Sequence, residues 1–163
     1  MNTGQMIMTI CAMILLSTIV LRVNTTNLNN ESVRDQAQYG VLATSIATSI
    51  IEEAQSKAFD NNTDTNSVSS LNQLSASLGP ESGETEATFN DFDDFNGFTK
   101  RDSTMPSAIF DISCQVVYVD ENNVNGYSTS KTWHKKLNIT IISETSPPDT
   151  FRTSSIFSYW FFR

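Results

Sequence analysis

One histidine, His134, and two cysteines, Cys11 and Cys114, are the whole stock of imidazole and thiol groups in these 163 residues. A structural zinc site takes several such ligands at short spacing, so this chemistry is excluded. Cys11 lies inside an apolar run and Cys114 in a strand-like segment, a separation that argues against a disulfide and for two buried thiols. Basic residues are also scarce: 10 Lys and Arg stand against 18 Asp and Glu, for a formal net charge of -8. Phosphate backbones are bound by clustered Lys and Arg, so nucleic acid is not an expected partner. Catalysis lacks its usual parts. His134 sits between Trp133 and Lys135 with no recognisable Ser or Cys nucleophile, and Glu52 and Glu53 occupy adjacent helical positions that point about 100° apart. There is no Gly-rich phosphate loop. The chain reads as a non-enzyme.

Proline is missing as well, with none before Pro80, and this leaves the N-terminal third free to be one helix. Met6 to Leu21 holds no charge, and its polar side chains are Thr9, Ser17 and Thr18 alone. As a helix this run spans roughly 24 Å, slightly short of a bilayer core of about 30 Å. Met6, Ile7, Ile10, Met13, Ile14, Leu15, Leu16, Ile19, Val20 and Leu21 have no partner in so small a chain, which points to burial in lipid or among copies of the same chain. A secretory signal would carry a basic start and a small-residue cleavage site, and Met1 to Gln5 offers neither Lys nor Arg. Ile10 is too bulky to precede a lipoprotein cysteine at Cys11. Arg22 argues weakly against export by the positive-inside rule, whereas the polar, lysine-poor body favours it. The sequons at Asn24, Asn30, Asn61 and Asn138 allow glycans.

Val23 to Ser32 is rich in Asn and Thr, poor helix formers that compete for backbone hydrogen bonds, and a fray or kink is expected there. Leu42, Ile46, Ile50, Ala54 and Ala58 then recur every four residues, with Tyr39, Ala43, Ala47 and Ile51 widening the stripe, as in a surface helix with one buried side that ends near Phe59. Asp60 to Asp64 makes a polar turn. Thr63 to Arg101 reads as an acidic loop with one short helix over 69–78. Ala108 to Val119, Thr132 to Ser143 and Thr150 to Phe162 read as strands. Phe110, Ile112, Cys114, Val116 and Tyr118 share one face of the first, and Trp133, Lys135, Leu137, Ile139 and Ile141 one face of the second. Asp120 to Gly126 is expected as a turn-rich connection and Pro147-Pro148 as a break. The fold class expected is α+β: a long N-terminal helix, its apolar half unpacked, on a small antiparallel sheet of three or more strands. The corresponding segments are an apolar anchor or filament-core helix over 1–23, a polar patch and amphipathic helix over 24–60, an acidic loop over 61–107 and the sheet over 108–163.

This order of a short polar start with Gly4, an apolar helix, an amphipathic continuation, an acidic loop and a sheet resembles the type IV pilins and pseudopilins. The stretches Leu78-Gly79-Pro80-Glu81-Ser82-Gly83-Glu84-Thr85 and Phe89-Asn90-Asp91-Phe92-Asp93-Asp94-Phe95-Asn96-Gly97-Phe98 are similar to the acidic aromatic segment of minor pilins of the mannose-sensitive haemagglutinin pilus. The resemblance implies a homopolymeric extracellular filament assembled through its apolar helices from a precursor in the inner membrane. It also implies processing between Gly4 and Gln5, although Thr9 then stands where the family carries a Glu. A minor pilin or pseudopilin of a secretion or pilus machine, or a membrane-anchored periplasmic or surface binding module, are the alternatives.

Asp91, Asp93, Asp94 and Asn96 place four oxygen-bearing side chains within six residues beside Gly97. Hard oxygen donors at this spacing suit Ca²⁺, with Glu84 and Glu86 in reach to complete the shell. The order is not that of an EF-hand loop, since Phe95 falls on a ligand position. The other reading is a solvated acidic turn pinned by Phe89, Phe92, Phe95 and Phe98.

Overall fold

A computed structural model describes residues 2–105, 108–144 and 149–159. Helix α1 runs over Thr3–Ser56, followed by 3₁₀ turns at Asn61–Thr63, Leu71–Gln73, Glu86–Thr88 and Asp93–Phe95. Five strands come next: β1 (Thr99–Met105), β2 (Ala108–Asp120), β3 (Asn123–Ser128), β4 (His134–Ser143) and β5 (Asp149–Ser158). They form one antiparallel sheet in the order β1-β2-β4-β5, with β3 also paired to β2. The α+β architecture of a long N-terminal helix packed on an antiparallel sheet is therefore present. Contacts divide the chain into two compact units, Met1–Tyr39 and Gly40–Arg163.

In the first unit the helix is continuous across Val23 to Ser32, against the expected fray. The hydroxyls account for this. Thr25 donates to the Leu21 carbonyl and Thr26 to the Arg22 carbonyl, both at 2.9 Å, so the polar side chains fold back on the helix instead of diverting its backbone. Thr9 and Thr18 do the same within the apolar run. The large apolar side chains from Met6 to Leu21 are 48–77% exposed. Cys11 is exposed too, so only Cys114 matches the expected buried thiol.

In the second unit the helix buries Ala43, Ala47, Ile50 and Ala54, so its buried line runs through two of the residues expected to widen the stripe instead of through Leu42 and Ile46. Leu42, Ile46 and Ile51 flank this line and are half-buried. Small residues let the backbone approach the sheet closely. At Gly40 a Cβ would stand 3.3 Å from the Phe151 ring, tighter than an ordinary van der Waals contact. The helix stops at Ser56, short of the expected Phe59, and Ala58 enters a parallel bridge with Asp91.

Strands β2 and β4 carry the core. Ile112 faces Ile141, Cys114 faces Ile139, Val116 faces Leu137 and Tyr118 faces Lys135 across an unbroken nine-pair register, and all eight side chains are buried. These are the phases that alternation assigned. Trp133 precedes the strand; it is half-buried and stacks on Tyr159 at 5.3 Å.

Three other expectations change. Thr99–Met105 is an edge strand rather than the end of a loop; its polar side chains give no alternation to read. Asn123 to Gly126 belongs to β3, because Asp120 accepts the Asn122 N–H at 2.8 Å and closes the turn within two residues. The segment 69–78 forms only the single turn Leu71–Gln73: the Gln73 amide oxygen takes the N–H groups of Ser69 and Ser70, capping the turn at once. Pro147, Pro148, Trp160, Phe161 and Phe162 lie outside the described residues.

Leu137 sits fully buried at the middle of β4. Leu137→Ala is expected to lower the unfolding free energy of the full chain by about 2–5 kcal/mol, measured by chemical denaturation in detergent.

Candidate functional site

The acidic segment folds inward. Asp91, Asp93 and Asp94 are buried, which corrects the solvated-turn reading. Its aromatic half holds: Phe89, Phe95 and Phe98 meet edge-on at 5.3–6.0 Å, and Phe92 packs on Phe157 at 5.1 Å. Edge-to-face rings fill the space beneath the backbone and draw the carboxylates in with them.

Burial of three carboxylates demands compensation. Lys135, on the core-facing phase of β4, is fully buried and supplies one charge. Its ammonium donates to the Phe59 carbonyl at 2.7 Å, to Asp60 Oδ2 at 2.9 Å and to Asp93 Oδ1. It also lies 4.5 Å from the centre of the Phe59 ring. Asp60, buried just after the helix, takes the N–H groups of Asn62 and Ser75 and the Ser75 hydroxyl on its other oxygen. Backbone N–H groups satisfy much of the rest. Asp91 Oδ1 accepts from Asp93 and Asp94, while Asp94 Oδ2 accepts from Asn90 and Asp91.

The expected quartet of Asp91, Asp93, Asp94 and Asn96 is thus assigned to different tasks. Asp93 is committed to Lys135. Asn96 donates to the Leu78 carbonyl and accepts from the Val116 N–H, tying the loop to β2. Among the described residues the acidic oxygens that do converge are those of Glu81, Glu84 and Asp94, all within 4.8 Å of one another. Glu86 is drawn away to Lys100 at 2.5 Å.

Lys135 and Asp60 were missed as members of the site. The signal for Lys135 was present, since a lysine on the aliphatic phase of a central strand requires a buried anion. Nothing comparable distinguishes Asp60 from the polar turn it opens.

The electrostatics follow from these contacts. Burial would raise Asp60, but the charge and hydrogen bond of Lys135 and the bonds from Ser75 outweigh it and hold this carboxyl below its usual range. Burial, followed by the charges of Asp93 and Asp94, pushes Asp91 up to about 8. Burial raises Asp93 despite Lys135. Asp94 is also raised, first by burial, with the N–H groups of Asp91 and Asn90 opposing and Glu84 adding to it.

Elsewhere among the described residues, the other candidate groups stand apart. His134 Nδ1 meets the Ser158 hydroxyl at 2.7 Å within the sheet. Glu52 and Glu53 are exposed. A cleft of about 380 Å³ beside α1 is lined by apolar residues such as Ala47, Ile139 and Phe151 together with threonines and Arg152. Gly4 and Gln5 and the ten apolar residues singled out between Met6 and Leu21 lie on exposed helix, far in sequence from the acidic cluster.

No protein-family model, curated protein or solved structure matches this chain.

Two outcomes follow for the cluster. Lys135→Met strands two buried carboxylates and is expected to cost roughly 3–5 kcal/mol of stability by denaturant unfolding. Asp91 binds its proton in the folded state up to about pH 8, whereas the unfolded group releases it near the ordinary value of 3.8. Its contribution to stability therefore falls as pH rises between those values. Asp60 acts oppositely, adding stability above the unfolded value that is lost as pH falls through its depressed folded value. In chelator the melting midpoint should be higher at about pH 5.5 than at about pH 8.5. Asp91→Asn, which keeps an oxygen for the two N–H groups, should flatten that difference.

Proposed function

We propose that this chain is a structural subunit of a type IV pilus-like extracellular filament, held in the inner membrane by its apolar helix before assembly and joined to its own copies through that helix afterwards. The observation that carries the reading is the apolar run itself. The N-terminal helix contains an 18-residue window of mean hydropathy 2.3, and none of that window is buried in the chain. A helix of this composition in the core of a soluble domain would be covered by its own chain. This one keeps its apolar surface for lipid or for other helices. Thr9 and Thr18 satisfy their hydroxyls on helix carbonyls, so they enter an apolar bundle at little cost.

The buried line of Ala43, Ala47, Ile50 and Ala54 supports the same division of labour, because the packed face of the helix begins only after the apolar run has ended. No catalytic constellation competes with a structural role among the described residues.

Electron microscopy of sheared surface material from cells making the full chain tests the proposal. Thin filaments composed mainly of this chain are expected. Ile14→Asp places a charge in the run, at about 3 kcal/mol on the insertion scale, and should abolish filaments. Wild-type chain that remains membrane-bound and never appears in sheared filaments would instead favour an anchored binding module. Normal filaments from Ile14→Asp would mean that the run is not buried in the assembly.

A further inference from the structure

The loop that closes over the acidic cluster contains more buried acceptors than donors. The Glu81 to Glu84 turn is built for this: Gly83 adopts φ 96° and the Glu84 N–H donates to the Glu81 carbonyl at 3.1 Å, which folds the two glutamates back together. Glu84 then accepts the Glu81 N–H at 2.8 Å and the Asn90 side-chain amide at 3.2 Å. Asp94, fully buried, spends Oδ2 on two N–H groups. Its Oδ1 has no hydrogen-bond partner, and neither do the buried Oε2 of Glu81 and Oδ1 of Asn90. Carboxylate oxygens of Glu81, Glu84 and Asp94 nevertheless stand within 4.8 Å of one another.

Three carboxylates this close repel one another, and an orphaned buried acceptor costs a further 1–3 kcal/mol or so. The neighbouring cations cannot relieve them, since Lys135 is engaged by Asp60 and Asp93 and Lys100 by Glu86. We propose that Glu81, Glu84, Asn90 and Asp94 form a Ca²⁺ site that ties the Glu81 turn to the buried acidic segment. The donors are all hard oxygens, with no imidazole or thiol among them, which selects against zinc and copper. Oxygens bound to one Ca²⁺ lie at most about 4.6–5.2 Å apart, a limit that all three carboxylates respect, and a partly open loop leaves room for water to complete a shell of six to eight. This site shares only Asp94 with the quartet suggested by sequence spacing. It stands independently of the filament reading, because it rests on Gly40–Arg163 alone.

The test is isothermal titration and thermal melting of the full chain, purified in detergent and stripped with chelator, using CaCl₂ and then MgCl₂. One Ca²⁺ per chain is expected, with a melting midpoint that rises with Ca²⁺ and much less with Mg²⁺. Glu81→Gln is the clean variant, because no hydrogen bond among the described residues uses that carboxylate. It should melt like the wild type in chelator and bind Ca²⁺ roughly tenfold more weakly or worse; Glu84→Gln should weaken binding similarly. Asp93→Asn should lower the midpoint through Lys135 while leaving Ca²⁺ affinity nearly unchanged. Absence of binding up to about 10 mM Ca²⁺, well above the range of extracellular modules, would overturn the proposal. So would wild-type affinity in both glutamate variants, equal stabilisation by Mg²⁺, or loss of binding in a folded Asp93→Asn.

Discussion

A single buried ammonium organises the second unit. Lys135 enters from the central strand β4 and meets the Phe59 carbonyl and Asp60 just beyond the helix, together with Asp93 of the acidic loop. Three parts of the chain distant in sequence are thereby held to one point. A buried ion pair is not in itself a source of great stability, since desolvation of its charges offsets their attraction. Its effect here is positional. With the lysine inside, any arrangement that leaves Asp60 or Asp93 elsewhere strands a charge in the core.

The aromatic side chains make that arrangement affordable in space. Phe59 lies beneath the ammonium and also contacts Phe157 and Tyr159, while Phe92 reaches Phe157 from the loop. Tyr159 accepts the Val68 N–H at 3.0 Å, so the strand end fastens the segment that follows the helix. The long stretch between α1 and β1 has little regular structure of its own. It is ordered by rings packed on the sheet and by carboxylates that take up backbone N–H groups which would otherwise be unsatisfied.

These two devices divide the acidic segment between them. Asp93 serves the lysine, and Asp91 and Asp94 hold the turn of backbone around it. Asp94 also presents a carboxylate oxygen to Glu81 and Glu84, whereas Asp91 faces Asp93, a partner of Lys135. A loop of this kind responds to proton and cation alike, because either one relieves repulsion that the fold leaves in place.

Much of this was determined by the sequence itself. The absence of proline before Pro80, the uncharged run from Met6 to Leu21 and the four-residue steps from Leu42 to Ala54 specify a helix without reference to anything else, because helical periodicity is local. The alternation in β2 and β4 likewise named the buried phase, including Lys135. Polar strands escaped: β1 and β3 are strands because β2 offers them an edge, and their side chains carry no record of it. The continuity of α1 through its Asn and Thr patch was also decided by geometry, as hydroxyls that compete with the helix in isolation bond back to it here. The acidic cluster shows the limit best. Spacing placed Asp91, Asp93, Asp94 and Asn96 together, but only the tertiary structure could bring Lys135 from 42 residues away onto Asp93 and set Glu81 and Glu84 against Asp94. Which carboxylate meets a cation depends on the partners that folding supplies, and those lie in other parts of the chain.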